Sequence, residues 1–433
     1  MKEPIFTDDV IVFGLLMICL GFTFYTSSLK KGFWSKYYKV IPALLMCYLL
    51  PAILSSVGLI APEWFTVNEL NQKTQHQSEL YNVAKNYLLP AALILMTLSI
   101  DLKAVFNLGP KALIMFFTGT VGIIIGGPIA LLVLSLISPE ILSGAGPDEV
   151  WRGLATIAGS WIGGGANQTA MYEIYGYNPQ KYGAMVFVDI IVANIWMAVL
   201  LFGIGKSAAI DKWLKADNSA IEALKSKMSN YSESVQREAT LTDYMIVLGI
   251  AFFGVGIAHF GAQGMTAFLK SNFSSIQDPA HFLSFLNSKF FWMISIATLL
   301  GILLSYTPIK KFEGMGASKI GSVFIYILVA TIGMKMDLTQ IFDNPILLVI
   351  GLLWMLIHVL LMFGVAKIIR APYFFLAVGS KANIGGAASA PVIAAAFHPS
   401  LATVGVLLAV MGYAVGTFGA ILCAQLMELV SQV

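Results

Sequence analysis

The sequence predicts an all-α polytopic membrane protein made of two inverted five-helix repeats, each carrying a re-entrant, glycine-rich segment. Three observations support this fold class. The chain is 58% hydrophobic, with a mean hydropathy of +0.81 and 11% charged residues, against about 25% charged residues in soluble domains. Long apolar stretches recur from end to end, and two of them are interrupted by glycine. The two halves also share an ordered series of short motifs.

A membrane-spanning helix needs about 20 mostly apolar residues. The stretches that meet this requirement lie at 9–27, 38–60, 86–101, 112–137, 182–205, 242–260, 288–307, 319–337, 345–366 and 399–425. Two further segments, 150–176 and 372–397, are apolar but interrupted by glycine and polar residues. The topology depends on whether these two segments cross the bilayer.

The distribution of lysine and arginine decides between the two topologies. If neither interrupted segment crosses and the N-terminus is outside, most of the 26 basic residues fall in inner loops. If both segments crossed, the basic stretch 206–237 would lie outside, against the positive-inside rule. We therefore expect about ten spans plus two re-entrant segments, with both termini outside, in a bacterial inner membrane. Irregular backbone at membrane depth needs protein or a wet cavity around it, so an internal polar cavity is expected.

The two halves align at an offset close to 235. The matching residues, in chain order, are Thr7 with Thr242, Gly14 with Gly249, Gly21 with Gly256, Asp101 with Asp337, Pro110 with Pro345, and Gly159 with Gly379. The predicted organisation is a first repeat at 1–205, a cytoplasmic linker at 206–240 and a second repeat at 241–433. Five crossings per half would invert one repeat relative to the other, and inverted repeats with broken segments are typical of alternating-access transporters.

The first re-entrant segment contains three consecutive glycines followed by three polar residues. Such a glycine run disfavours helix and permits positive φ, while the polar side chains supply donors and acceptors at the expected tip. The candidate substrate-binding residues of this segment are Ser160, Gly163, Gly164, Gly165, Asn167, Gln168 and Thr169.

The second re-entrant segment repeats this design. Its candidate substrate-binding residues are Ser380, Lys381, Asn383, Gly385, Gly386 and Ser389. Pro391 is expected to begin the returning half-helix, and half-helix N-termini attract carboxylates. Alternatively, these Gly, Ala and Ser runs simply allow neighbouring helices to pack closely.

Three polar residues in the spans are candidates for ion coupling or charge pairing. Asp189 lies in the middle of a span, where a carboxylate is costly and is by default a functional candidate. We expect it to bind a coupling ion or carry a proton, or else to form a structural ion pair with Lys381. Lys381 itself could bind a substrate carboxylate, replace a coupling cation or neutralise Asp189. Asn194 is a second ion-coupling candidate, although a helix–helix hydrogen bond would explain it equally well.

Other residues favour structural roles. His358 stands alone on an apolar span, which favours packing over a proton relay. Asp101 and Asp337 lie at span ends, which favours helix capping or exposure to water. The cysteines lie inside apolar runs, and buried free thiols are therefore expected at Cys19, Cys47 and Cys423.

No metal-binding or nucleotide-binding motif and no catalytic dyad is found in the sequence. We therefore expect no enzymatic activity, no metal site, no cofactor other than a coupling ion, and no nucleic-acid partner.

The paired motifs at 159–168 and 379–391 resemble the YjcL-like family of bacterial membrane proteins of unknown function, over nearly the whole chain. More distantly, the chain is similar to sodium–glutamate symporters and 2-hydroxycarboxylate transporters, in the cation/proton antiporter and anion transporter group. This resemblance implies a scaffold domain, a transport domain holding solute and Na⁺ at the re-entrant tips, and a homodimer formed through the scaffold. The family pattern is carried over to Gly163–Gly165, Asn167, Asn383 and Gly385–Gly386. The chain departs from the citrate-type pattern because Lys381 lies inside the second segment and an obvious arginine is missing there.

The expected function is a cation-coupled symporter, driven by Na⁺ or H⁺, for a small anionic or zwitterionic solute bearing a carboxylate. Amino acids, organic acids and short peptides are candidates. The alternative is a cation/proton antiporter without an organic solute. An intramembrane enzyme is disfavoured because the sequence lacks the catalytic dyad that such an enzyme would need. A passive channel is disfavoured because the glycine-rich segments resemble occluding gates.

The topology can be tested by labelling single cysteines from each side of the membrane. Because Gln72 lies in a predicted outer loop and Ser219 in the predicted inner linker, Gln72→Cys and Ser219→Cys should react with an impermeant maleimide from opposite sides. Labelling of both from the same side would contradict the inverted repeat.

Overall fold

The computed structural model describes residues 4–38, 41, 43–67, 73–98, 105–142, 144–217, 221, 238–273, 277, 284–336, 344–398 and 401–432. Within these ranges nearly all residues are helical, apart from one two-stranded sheet. The expectations for Asp101 and Asp337, and the labelling positions Gln72 and Ser219, lie outside the described residues.

The first half of the chain begins with three helices and a β-hairpin. Its helices are α1 (Asp9–Ser28), α2 (Gly32–Tyr37), α3 (Ala43–Ser56), α4 (Leu80–Val83), α5 (Leu89–Leu98), α6 (Pro110–Ser135), α7 (Val150–Gly163), α8 (Gly165–Tyr175), α9 (Pro179–Ile204) and α10 (Ser207–Leu214). A π-helical turn, Ala84–Leu88, joins α4 to α5, and short 3₁₀ turns lie at Pro139–Leu142 and Gly146–Asp148. Strands β1 (Glu63–Val67) and β2 (Lys73–Gln77) pair antiparallel, and the sequence analysis did not predict them.

The second half follows the same order of long helices. Its helices are α11 (Leu241–Asn272), α12 (Lys289–Ser305), α13 (Ala317–Gly333), α14 (Ile346–Ile368), α15 (Tyr373–Asn383), α16 (Gly386–Phe397) and α17 (Ala402–Ser431). Two 3₁₀ segments, Ser284–Asn287 and Pro308–Met315, flank α12.

Within the described ranges, six helices are long and apolar enough to cross a membrane: α1, α6, α9, α11, α14 and α17. A seventh candidate is α12 together with Pro308–Met315, which bend by 98° at the break between them. The predicted spans at 38–60, 86–101, 288–307 and 319–337 coincide with the shorter helices α3, α5, α12 and α13. The prediction of a polytopic helical membrane protein is thereby confirmed. The expected buried free thiols are also confirmed, at Cys19, Cys47 and Cys423.

The helices pack in two groups. Helices α1, α3, α5, α11, α12 and α13 contact one another and form the first group. Helices α6 to α9 and α14 to α17 form the second group, in which α17 contacts α6, α7, α8, α15 and α16. Each group therefore takes equivalent helices from both halves of the chain.

In the first interrupted segment, α7 and α8 form a helical hairpin that is broken at Gly164. Gly164 has φ 76° and ψ −171°, a conformation that is essentially restricted to glycine. At the base of the hairpin, Arg152 Nη1 donates to the carbonyl oxygen of Tyr175 at 2.9 Å. The ring centroids of Trp151 and Tyr175 are 5.2 Å apart. The start of α7 thus lies beside the end of α8.

The second interrupted segment forms a similar hairpin from α15 and α16. The break is at Gly385, with φ 105°. The ring of Phe397, at the end of α16, lies 6.0 Å from that of Tyr373 and 5.3 Å from that of Phe374, at the start of α15. Pro391 was expected to begin the returning helix, and this expectation is wrong. The helix begins at Gly386 and Pro391 lies inside it, because the positive φ at Gly385 already turns the chain.

The two hairpins enter the bundle from opposite ends of α9. At its start, Asn178 Nδ2 donates to Asp148 Oδ1 at the base of the first hairpin, at 2.6 Å. Beyond its end, Asp211 on α10 accepts from the backbone N–H of Tyr373 at the base of the second hairpin, at 2.7 Å. Between these bases α9 has 26 residues, a length of roughly 39 Å at the usual helical rise.

The tips of both hairpins meet at Gly412 on α17. A Cβ atom on Gly412 would lie 2.7 Å from the carbonyl oxygen of Ile162 and 3.4 Å from that of Ala382. The two oxygens are therefore within about 6 Å of each other, the sum of these distances. One turn along α17, a Cβ on Gly416 would lie 2.6 Å from the Cα of Gly163. Small residues on α17 thus permit the close approach of the first hairpin.

The break at Gly164 can be tested by Gly164→Ala. A Cβ there meets only Tyr413 at an ordinary 3.7 Å, so the cost arises from the backbone conformation and should be about 1–3 kcal/mol. The thermal unfolding midpoint of the purified protein should fall.

Gly165→Ala is the matched control, because Gly165 is the first residue of α8 and its Cβ would make one ordinary contact at 3.7 Å. It should leave the midpoint unchanged or raise it. Equal destabilisation by both substitutions would contradict the assigned break.

Candidate functional site

The Asp189 carboxylate lies in the core of the second helix group and is 4% exposed. Both of its oxygens accept hydrogen bonds from the first hairpin. Oδ2 accepts from Ser160 Oγ at 2.7 Å and from Gln168 Nε2 at 3.1 Å, and Oδ1 accepts from Trp161 Nε1 at 2.7 Å. Asp189 therefore joins α9 to both arms of this hairpin.

Lys381 is a buried ammonium group in the second hairpin, 2% exposed. It donates one hydrogen bond, to the carbonyl oxygen of Ala193 on α9, at 3.3 Å. Ala193 lies one helical turn beyond Asp189, so the Lys381 ammonium and the Asp189 carboxylate belong to neighbouring turns along α9. No direct ion pair joins them among the described residues. Because an ammonium has three donors, Lys381 retains capacity for an anionic or polar ligand.

Ser389 lies next to this ammonium group at the turn of the second hairpin. A Cβ on Gly385 would lie 2.2 Å from Ser389 Oγ and 3.1 Å from Lys381 Nζ. The hydroxyl is buried and has no hydrogen-bond partner in the described part of the chain. The Ser389 hydroxyl and the Lys381 ammonium thus both lie beside Gly385, at the turn of the second hairpin.

Two helix N-termini lie at the tips. The N-cap residues of α8 and α16 are Gly164 and Gly385, and neither helix has a side-chain cap. The first N–H groups of a helix have no partner within the helix, and their partial positive charge favours anions. Lys381 adds a full positive charge beside the N-terminus of α16.

The two predicted asparagines are held by threonines on other helices. Asn167 Oδ1 accepts from Thr417 Oγ1 on α17 at 2.5 Å, while its Nδ2 donates to the carbonyl oxygen of Gly163 at 2.9 Å. Asn383 Oδ1 accepts from Thr120 Oγ1 on α6 at 2.8 Å.

Asn383 also donates twice, to the carbonyl oxygens of Phe116 and Gly379, at 2.9 and 3.0 Å. Both of its N–H groups and its oxygen are therefore used within the protein. In this geometry Asn383 positions the hairpin tip rather than offering free groups to a ligand.

Ser380 belongs to a separate hydrogen-bonded chain. Its Oγ accepts from Trp196 Nε1 at 2.8 Å and lies 2.8 Å from His358 Nε2. His358 Nδ1 lies 3.2 Å from the carbonyl oxygen of Gly119. Since a carbonyl only accepts, Nδ1 carries the proton, and a neutral ring accepts from Ser380 through Nε2. Both ring nitrogens are satisfied, in agreement with the packing role expected for His358.

The remaining predicted residues make local contacts. Thr169 Oγ1 donates to the carbonyl oxygen of Gly165 at 3.0 Å. Asn194 donates to Ile190 in its own helix at 2.7 Å and makes no contact with Asp189. Gly386 has φ 52° and begins α16. The structure therefore brings together Asp189 with Ser160 and Gln168, and Lys381 with Ser389, but leaves Asn194 apart.

The base of the first hairpin has an exposed anchor. Asn178 and Lys181 donate to the two oxygens of Asp148, at 2.6 and 2.9 Å. These contacts hold the pKa of Asp148 below its usual value. The stabilisation is present at neutral pH and is lost as the pH falls through this lowered pKa.

One charged group near this base was missed by the sequence analysis. Glu173 on α8 forms an ion pair with Lys85 in the π-helical turn before α5. Lys335, just after α13, lies 3.5 Å above the ring of Tyr81 and acts electrostatically on Glu173. These contacts join the first hairpin to the first helix group. The sequence does mark Glu173 as a candidate, because it is the single acidic residue in the apolar segment 150–176.

The anchoring of the second tip can be tested by Thr120→Val, which keeps the side-chain shape but leaves Asn383 Oδ1 without its donor. The expected loss of stability is about 1–2 kcal/mol, measured as a lower unfolding midpoint. Thr118→Val on the same helix is the control, because Thr118 bonds to Ile114 within α6 and to no other described residue. Equal effects of the two variants would show that the tip does not depend on this bond.

The chain was compared with known proteins. The family described as "Protein of unknown function (DUF819)" matches residues 14–430. The uncharacterized membrane protein YjcL of Bacillus subtilis (strain 168) is 24% identical over 352 residues, which cover 79% of this chain and 82% of YjcL. The chain therefore belongs to the DUF819 family, and the predicted resemblance to YjcL-like membrane proteins of unknown function is confirmed.

Proposed function

We propose that this protein is a cation-coupled secondary transporter of a small carboxylate-bearing solute, working by alternating access. The observation that carries the proposal is the meeting of two oppositely directed, broken helical hairpins at Gly412, beside a buried carboxylate and a buried ammonium. Broken helices whose ends face one another near the midplane are a recurrent way to hold solute and ion in transporters.

The proposal includes a topology of ten spans and two re-entrant hairpins. Each hairpin has its two ends at one end of the bundle, as the contact between Arg152 and Tyr175 and the packing of Phe397 on Phe374 illustrate. A segment that returns to its own side adds no crossing. Each half then contains five crossings, and the two halves are inverted with both termini outside.

The carboxylate of a solute is proposed to bind between Lys381, Ser389 and the N-terminus of α16. Lys381 supplies the charge and, among the described residues, has two N–H groups without a partner. Ser389 supplies a hydroxyl that likewise has no partner among those residues. A charge-assisted hydrogen bond to a carboxylate is stronger than a neutral one. An amino acid, an organic acid or a short peptide would each present this group.

Asp189 is proposed to couple transport to Na⁺ or H⁺. Trp161 and Gln168 donate N–H groups to it, and such groups stabilise an ionised carboxylate but cannot bind a cation. The arrangement therefore suits the cation-free form. Binding of H⁺ or Na⁺ at Asp189 would weaken these bonds to the first hairpin and so connect ion binding to hairpin position.

Alternating access requires the second helix group to move relative to the first. The ion pair of Glu173 with Lys85 crosses between the groups, as does the packing of the Tyr48 and Tyr182 rings, with centroids 6.4 Å apart. These contacts would break and reform as the hairpins move, and they lie at the end of the bundle where α9 begins.

A cation/proton antiporter without an organic solute is the second candidate. The position of Lys381 favours it, because its ammonium bonds to Ala193 one helical turn beyond Asp189. Competition between a cation and this ammonium for the Asp189 carboxylate would suffice for exchange. An antiporter would respond to Na⁺ and pH but to no carboxylate-bearing compound.

The coupling role can be tested with Asp189→Asn, which preserves the side-chain volume. The asparagine oxygen can still accept from Trp161 and its N–H can donate to the Ser160 hydroxyl, whereas the bond from Gln168 is lost. Unfolding midpoints would be measured in NaCl and in choline chloride at several pH values. The parent should be stabilised by Na⁺ or by a change of pH, and the variant should lose that response.

Asp148→Asn is the matched control, since Asp148 lies at the exposed base of the first hairpin. It should keep the response to Na⁺ and should change the pH dependence only at acid pH, where the lowered pKa of Asp148 lies. If Asp189→Asn responds to Na⁺ and pH as the parent does, the carboxylate is structural and the coupling assignment fails.

A further inference from the structure

An apolar groove lies on the surface between α1 and α13. Its volume is about 390 Å³, a size typical of small-molecule sites, and most of its lining residues are apolar. The principal lining residues are Leu20, Gly21 and Phe24 on α1, and Val323, Tyr326 and Ile327 on α13.

Gly21 on α1 lines the groove, and a Cβ atom on Gly21 would meet no other atom within 4 Å. Next to it, the rings of Phe24 and Tyr326 pack edge to face, with centroids 4.7 Å apart. Since α1 and α13 are apolar helices of a membrane protein, the groove opens to the surface that lipid chains cover.

The two helices that form the groove are antiparallel, and a lysine lies at one end of it. At the other end, Asp9 at the start of α1 accepts a hydrogen bond from Ser78 at 2.6 Å. Lys335, just beyond the end of α13, lies over the ring of Tyr81. The start of α1 and the end of α13 therefore lie together, and the two helices are antiparallel. Lys319, near the start of α13, lines the opposite end of the groove.

Further positive charge lies at that end. Lys30 and Lys31 directly follow α1 and are exposed. Lys319 makes no ion pair among the described residues. The groove thus combines an apolar channel for a chain with lysines for an anionic head, a pattern that suits recognition of acidic lipids at the cytoplasmic face.

We propose that the groove binds an anionic phospholipid, with an acyl chain between α1 and α13 and the phosphate at Lys319, Lys30 and Lys31. The aliphatic part of Lys319 covers the groove while its ammonium reaches the headgroup region. The inference does not depend on solute transport, but it uses the proposed topology, which puts the end of α1 and the start of α13 at the cytoplasmic face.

The proposal can be tested by thermal unfolding of the purified protein in a neutral detergent. Phosphatidylglycerol and phosphatidylcholine with identical acyl chains would be added in turn. Phosphatidylglycerol should raise the unfolding midpoint more than phosphatidylcholine. Lys319→Gln should weaken the apparent affinity for phosphatidylglycerol roughly fivefold, the effect expected for one lysine near an anionic lipid surface.

Gly21→Leu should fill the groove and abolish the stabilisation by phosphatidylglycerol. Gly14→Leu is its control, because Gly14 is also exposed on α1 and free of neighbours within 4 Å but does not line the groove. Equal stabilisation of the parent by both lipids, or an unchanged response in Gly21→Leu, would overturn the proposal. If Gly21→Leu instead separates a dimer without altering the lipid response, the groove is a contact between two copies and the lipid site is wrong.

Discussion

Two breaks in helical segments inside an apolar bundle impose the constraint on which the rest of the structure depends. Backbone groups freed at membrane depth must find partners in protein or in a wet cavity. Here the breaks are at Gly164 and Gly385, and both tips lie against Gly412 of α17. The long helix α17 must therefore be poor in large side chains where it faces them, and glycines at 412 and 416 meet this need.

The same constraint explains how the tips are fixed. Each tip carries an asparagine held by a threonine on another helix, Asn167 by Thr417 and Asn383 by Thr120. Each threonine lies in the opposite half of the chain from its asparagine. Each hairpin is thus fixed by a helix from the other half of the chain, which ties the two halves together at the candidate site.

The two buried charged groups, Asp189 and Lys381, differ in how completely they are hydrogen-bonded. The oxygens of Asp189 are satisfied by the first hairpin. In the part of the chain that the structure describes, Lys381 makes one hydrogen bond and the Ser389 hydroxyl beside it has no partner. A buried charge without sufficient partners is costly. The carboxylate is stable as it stands, and the ammonium is the group that gains most from an anionic ligand.

Much of this arrangement could be predicted from the sequence because glycine runs and intramembrane charges are local signals. The break residues, Asp189 and Lys381 were all identified in this way. The partners Thr120 and Thr417 could not be identified, since a threonine on an apolar span looks the same whether it bonds to its own helix or to another. Pro391 was misjudged because Gly385 turns the chain first. Glu173 was overlooked although its isolation in an apolar segment marked it.

The most direct test of the central claim is a thermal-shift measurement of amino acids, organic acids and dipeptides on the purified protein, each compared with its amide analogue. The account predicts that at least one carboxylate-bearing compound raises the unfolding midpoint, that its amide does not, and that Ser389→Ala and Lys381→Gln reduce the shift. If the amide analogue gives the same shift, or if both variants bind the acid as the parent does, no solute carboxylate lies between Lys381 and Ser389.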